Sequence, residues 1–265
     1  MIFNLNSTYT LTFAGSVTNA NASVRGGDAT LALGTNRYEV SGNLSVAPIA
    51  GDVATLRIAG NSTAVKTSSL TIGSSGKLDL TTANLVVDYT GPSVADTIRG
   101  YLAAGRNGGS WDGPGIDSSS VGNSTFHALG YAETSQSLGL SGSATALWNG
   151  QTVDATSVLV KYTYGGDANL DGKIDVDDYG RIDFNVNFAG VSGWFNGDFN
   201  YDGKVNVDDY GIIDFNVGIQ GAPFPTGAGI PGGLSGVSAV PEPATLSVLA
   251  LAATTTLLPR RRRPR

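Results

Sequence analysis

The sequence predicts a mainly β protein that carries one small α-helical module, and three observations predict it. First, apolar-x-apolar beats recur through residues 1–90: Leu31-Ala-Leu33, Leu44-Ser-Val46, Leu56-Arg-Ile58, Leu70-Thr-Ile72 and Leu78-Asp-Leu80. Alternation with period two is that of half-buried strands. Turn residues separate the beats at intervals of about 7 to 14 residues, too short for crossover helices. A parallel β-solenoid and a sandwich are therefore the candidates, with the solenoid preferred. Second, an acidic stretch, Asp167 to Val186, is repeated at Asp198 to Val217 with 15 of 20 positions identical. Third, an apolar run from Ala244 to Leu258 is followed by an arginine cluster at the C-terminus.

The duplicated stretch has the spacing of a calcium loop. Oxygen-bearing residues fall at loop positions 1, 3, 5, 9 and 12: Asp167, Asn169, Asp171, Asp175 and Asp178, then Asp198, Asn200, Asp202, Asn206 and Asp209. Calcium requires six to eight hard oxygen ligands, and alternate residues of a tight loop point inward. Gly172 and Gly203 fill position 6, where the chain turns sharply, and Lys173 and Lys204 at position 7 offer a backbone carbonyl. Each loop runs into a predicted helix. Val176, Tyr179, Ile182 and Val186 recur at three- and four-residue steps, echoed by Val207, Tyr210, Ile213 and Val217, so the two helices are expected to share one core. Of the 22 acidic residues, 11 lie between Asp167 and Asp214, against three basic ones, so this segment should loosen without a divalent cation.

No helix is predicted ahead of either loop. The β-rich run Val158 to Tyr164 leads into the first, and Gly193 to Gly197, with Trp194 and Phe195, into the second. A calcium loop followed by a single helix, duplicated, with Asp rather than Glu at position 12, resembles the type I dockerin domain over residues 165–221. The resemblance implies two bound calcium ions, held by the ten side chains above and the carbonyls of Lys173 and Lys204, and docking onto a cohesin-like domain. Positions 10 and 11 are Val176-Asp177 and Val207-Asp208, where cellulosomal dockerins often carry Ser-Thr. The partner surface thus departs from the cellulosomal pattern.

The C-terminal constellation is Pro241-Glu242-Pro243, the apolar run and five arginines among the last six residues. It resembles the PEP-CTERM sorting signal, which implies export, transient membrane anchoring and processing by an exosortase-type enzyme. The apolar run has 15 residues, short of the roughly 20 needed to span a bilayer. Arginines beyond it put that end in the cytoplasm and the rest outside. The N-terminus, MIFNLNSTYTLTF, alternates in polarity like a strand and lacks the form of an export leader, so a leader is expected upstream of a truncated reading frame.

Residues 54–91, with the cadence TLRIAG, SLTIGSSGKLDLTTANLVVDYTG, resemble the autotransporter-associated β-repeats of bacterial surface proteins. Residues 91–164 form a mixed bridge. Ser93 is the expected N-cap of a short helix carrying Val94, Ile98, Tyr101 and Leu102, and the bridge ends in a strand. Residues 222–239, rich in Gly and Pro, are expected to be a linker to the sorting segment, residues 240–265.

The remaining chemistry-bearing residues argue against catalysis. Asp28, Glu39, Asp52, Asp79, Asp88, Asp96, Asp112, Asp117, Glu133 and Asp154 are scattered, with no pair spaced as an acid and base couple. His127 is the only histidine and reads as structural, and there is no cysteine for zinc, disulfides or a thiol nucleophile. Asp112 and Asp117, flanking Gly113 to Gly115, read as a turn before an ion site. The net charge of -6 disfavours nucleic acid. The expectation is a non-catalytic, surface-sorted protein with a two-calcium docking module and exopolysaccharide as a further contact. The alternative is a carbohydrate-active enzyme, of polysaccharide lyase or glycoside hydrolase type, or a carbohydrate-binding module.

Overall fold

The apolar beats become strands whose inward residues stack from one circuit of the chain to the next. The computed structural model describes residues 1–3, 7–49, 51–59, 64–122, 124 and 126–229. In order come β1 (Ile2–Phe3), β2 (Thr8–Thr12), β3 (Val17–Asn19), β4 (Ala22–Val24), β5 (Gly27–Ala32), β6 (Tyr38–Val46), β7 (Ala54–Ala59), β8 (Ala64–Ile72), β9 (Gly76–Asp79) and β10 (Asn84–Asp88). β4, β6, β8 and β10 lie side by side in one sheet and β2, β5, β7 and β9 in another, each neighbouring pair parallel. From β4 onward, successive strands therefore alternate between the sheets, one strand to each per circuit.

Register carries this arrangement. Ala29 pairs with Leu56, Leu56 with Leu78, and Leu78 with Ile116, an apolar column in which every member is buried. Val24, Val46 and Ile72 form a second column on the other sheet. Full burial of each aliphatic side chain contributes about 1.5–3 kcal/mol. A slip of one residue would turn each column outward, so alternation specifies register as well as strand.

After β10 the chain leaves the stack as α1 (Ala95–Arg106) and returns as β11 (Gly115–Asp117), parallel to β9. Ile98 and Leu102 bury the inner face of α1. The N-cap position falls on Val94, one residue after the expected Ser93, whose hydroxyl still accepts the Ala95 N–H at 3.1 Å. Next come β12 (His127–Glu133), α2 (Thr134–Ser137), β13 (Thr145–Trp148), β14 (Gln151–Asp154) and β15 (Ser157–Tyr164). β15 pairs antiparallel with both β10 and β12, so the parallel sheet becomes mixed at this side. β13 and β14 form a hairpin through Asn149 (φ 44°) and Gly150 (φ 79°). An Asn-Gly pair suits two successive positive φ values, a turn signal hidden within the Gly-, Ser- and Asn-rich bridge.

The last elements are α3 (Val176–Asn185), α4 (Val207–Val217) and β16 (Ala228–Gly229). The buried core is one cluster running from Ala22 in the stack to Ile213 on α4. The expected linker is not free at its start. Phe224 packs against His127, Tyr162 and Tyr164 at ring-centroid distances of 5.3, 5.5 and 4.8 Å, and β16 pairs with β13. Aromatic burial and strand pairing thus hold a stretch that composition alone marks as flexible. No helix among the described residues is long and apolar enough to cross a membrane. Pro241, Glu242, Pro243 and the apolar run lie outside the described residues.

Candidate metal centre

Both acidic loops follow the same backbone path. Gly166 and Gly197 (φ 116° and 105°) precede the loops, Leu170 and Tyr201 (φ 65° and 64°) stand at position 4, and Gly172 and Gly203 (φ 97° and 86°) at position 6. A Cβ at Gly172 would lie 2.1 Å from the Phe224 carbonyl oxygen, so position 6 of the first loop admits only glycine. β15 enters the first loop, and a 3₁₀ turn, Trp194–Asn196, enters the second.

The hydrogen bonds repeat as closely. Oδ1 of Asp178 accepts from the N–H groups of Ala168 (2.8 Å) and Asn169 (3.2 Å), and Oδ1 of Asp209 from Phe199 (2.8 Å) and Asn200 (3.2 Å). The other oxygen of each accepts from position 9, Asp175 or Asn206, at 2.9 Å. Position-12 carboxylates thus close the loop and complete capping boxes at the starts of α3 and α4. Asn169 and Asn200 accept from Asp171 and Asp202 at 2.8 Å, and those aspartates accept from the N–H of Lys173 (3.1 Å) and Lys204 (2.9 Å). All ten oxygen-bearing side chains therefore fall within the two closed loops.

The residues at position 1 test whether a cation fits. Asp167 and Asp198 are fully buried. Oδ2 of Asp167 accepts from Gly172 N–H (2.9 Å) and the Thr163 hydroxyl, and Oδ2 of Asp198 from Gly203 (3.1 Å) and Gly193 (3.2 Å). In both loops the second oxygen, Oδ1, is buried with no hydrogen-bond partner. An ionised oxygen so placed is costly unless paired or bound to a metal. Burial accordingly raises the carboxyls of Asp167 and Asp209 to about 6 and Asp178 to about 7, and moves Asp198 upward. The unpartnered Oδ1 of Asp167 and of Asp198 is the group that a hard divalent cation would satisfy. Among the described residues no trio of carboxylate or imidazole side chains converges on one point. The position-12 carboxylates are turned to backbone N–H groups, and the Lys173 ammonium pairs with Asp175 and, at 3.6 Å, with Asp171.

Two cations from outside the acidic repeats reach the loops. Nζ of Lys161, buried on β15, donates to the Leu170 carbonyl at 2.7 Å. Nη1 of Arg99 on α1 donates to the Tyr201 carbonyl at 3.2 Å. The signal for Lys161 is a lone charged residue in the strand SVLVKYTY. Trp194 is fully buried and its indole N–H donates to the Asp167 carbonyl at 2.6 Å.

α3 and α4 are joined by reciprocal bonds. The Tyr179 hydroxyl donates to Asp214 at 2.7 Å and that of Tyr210 to Asp183 at 2.5 Å, equivalent positions exchanged between the repeats. Burial, with the partner aspartate, pushes both phenols to about 12. Ile182 and Ile213 are buried as expected, but Val176 and Val207 are 78% and 76% exposed. They stand at the first helical position, facing solvent, and so do not join the shared core. Phe184 and Phe215, and Phe188 and Ile219, are further exposed pairs at equivalent positions.

His127 sits among aromatic rings with Nδ1 2.8 Å from the Tyr162 hydroxyl, and burial lowers its pKa. Asp112 caps its own turn, accepting from Asn107 (2.8 Å) and Ser110 (2.5 Å). Asp117 is buried on β11 beside Lys77 at 3.2 Å. No known protein family, curated protein or solved structure matches the chain.

Proposed function

We propose that this chain is a non-catalytic, surface-sorted protein whose paired loops each hold one calcium ion and whose helical face docks a partner. The observation that carries the reading is the buried, unpartnered Oδ1 at position 1 of both loops, Asp167 and Asp198. Two independent loops leave the same atom unsatisfied, which a ligand common to both explains. The cation would supply positive charge to the buried carboxylates and complete oxygen coordination through Asp167, Asn169, Asp171, Asp175 and Asp178, with their counterparts Asp198, Asn200, Asp202, Asn206 and Asp209 in the second loop. The carbonyls of Lys173 and Lys204 are the proposed backbone ligands.

Docking is supported by the apolar pairs Val176 and Val207, Phe184 and Phe215, and Phe188 and Ile219, all exposed. Exposed apolar side chains that recur at the same positions of two repeats mark an interaction face rather than scattered surface residues. The dockerin-like reading makes a cohesin-like domain the partner. The parallel strand stack reads as a solenoid-type spacer, and Pro241-Glu242-Pro243 with the arginine tail as a sorting signal read by an exosortase-type enzyme at the membrane.

A second reading, binding of a carbohydrate such as an exopolysaccharide, is favoured by a cleft of about 410 Å³ lined by Tyr89, Tyr131, Trp194, Glu133 and Asp96. In that cleft Glu133 accepts from the hydroxyls of Tyr89 (3.0 Å) and Ser93, which suits scaffolding better than proton transfer. Titrating the protein with calcium while following Trp194 fluorescence tests the main reading. Trp194 donates to Asp167, so its emission is expected to shift at or below millimolar calcium; a flat response with no bound calcium would reject it.

A further inference from the structure

We propose that Lys161 and Arg99 are built-in countercations of the two loops, positioning residues that stand in for part of the metal's charge and hold each metal-free loop together. The inference rests on the calcium reading above. Its basis is that two unrelated elements meet the same need. β15 sends Lys161 and α1 sends Arg99, and each ends on the carbonyl of position 4, Leu170 at 2.7 Å and Tyr201 at 3.2 Å. Both position-4 residues have a positive φ, 65° and 64°, a conformation that non-glycine residues rarely adopt. A charged donor on that carbonyl holds the turn in place. The remainder of Arg99 is lightly engaged, with Nε 3.9 Å from Asp96.

The charge count supports the same role. The first loop sets four carboxylates, Asp167, Asp171, Asp175 and Asp178, against the ammonium groups of Lys161 and Lys173, leaving two negative charges. In the second loop Asn206 replaces a carboxylate, and Lys204, unlike its counterpart Lys173, makes no ion pair among the described residues. Three carboxylates, Asp198, Asp202 and Asp209, then face Arg99 alone, again leaving two. Different residues bring both loops to the charge of one divalent ion.

A stand-in cation and a purely structural hydrogen bond predict opposite effects on metal affinity. Lys161 attracts the loop carboxylates but repels an arriving metal ion, so it stabilises the metal-free loop more than the loaded one. A structural bond alone stabilises the loaded loop at least as much. The test measures calcium affinity by calorimetry and metal-free Tm on the full chain. An Asp198→Asn background leaves the first loop to report alone. There, Lys161→Met is expected to lower the metal-free Tm and to tighten calcium binding at least threefold, with Lys161→Arg restoring both. In an Asp167→Asn background, Arg99→Met is expected to do the same at the second loop and Arg99→Lys to restore it. Arg99 is partly exposed, so its replacement decides the matter if Lys161→Met does not fold. Weaker or unchanged calcium binding in the folded variants overturns the assignment while leaving the loops as metal sites. Absence of calcium binding to the unaltered chain overturns both.

Discussion

Single carboxylates in this protein are held at odds with their solvent preference, and Asp117 is the case outside the loops. It pairs in register with Asp79 on the neighbouring strand, both are buried, and Oδ1 of Asp117 has no hydrogen-bond partner. Burial, then the Asp79 charge, pushes its carboxyl up to about 7, against the opposing pull of Lys77. A carboxyl raised in the folded state holds its proton more tightly there than in the unfolded chain. Folding is therefore most favoured below the unfolded pKa, and stability falls as pH rises from about 4 to about 7. With calcium saturating, so that the loop carboxylates stay ionised, Asp117 is expected to contribute a loss on the order of 3 kcal/mol across that window, opposed by His127, whose lowered pKa favours the folded chain as pH rises. Asp117→Asn should flatten the profile; an unchanged slope in that variant would refute the assignment. The two alike loops that carry the ten oxygen-bearing residues were legible in sequence because residue type and spacing set the turn. Lys161 and Arg99 were not, since each lies in a different element and meets its loop only after the chain has folded.

Among the elements, the two loops are the most alike in backbone and the least alike in their surroundings. Gly172 and Gly203 share a positive φ, but a Cβ at Gly172 would strike the Phe224 carbonyl at 2.1 Å, whereas at Gly203 the nearest atom is Nη1 of Arg99 at 3.5 Å. Gly172→Ala is therefore expected to cost more than Gly203→Ala, roughly 3 against 1 kcal/mol, because the first adds a backbone clash to conformational strain. Denaturant titration of both variants checks the order, and equal losses would show that Phe224 gives way. The helices were predicted from their periodicity, yet Val176 and Val207 lie outside the core. Apolar spacing specifies a stripe on a helix but not where that stripe begins, and the first turn of each helix is occupied with capping the loop. The strands show the complementary case. Period-two beats revealed them, while the antiparallel approach of β12 to β15 joins segments that are distant in sequence, and alternation contains no information about strand order.

Over the molecule as a whole, strand stack and acidic loops share one buried cluster, linked where Trp194 and Leu170 press on Gly130 of β12 and the Tyr201 hydroxyl donates to the Leu129 carbonyl at 2.7 Å. A Cβ at Gly130 would lie 2.6 Å from both Leu170 and Trp194, so the close approach itself requires glycine. With calcium bound, unfolding followed by Trp194 emission and by far-ultraviolet circular dichroism is expected to be coincident. Early loss of the Trp194 signal would instead show that the loops come apart from the strands. The duplicated unsatisfied oxygens of Asp167 and Asp198 remain the basis of the functional reading. Calorimetric titration of the full chain with calcium tests it most directly: two ions bound per chain, falling to one in Asp167→Ala, is the predicted result, and no binding at millimolar calcium would contradict it.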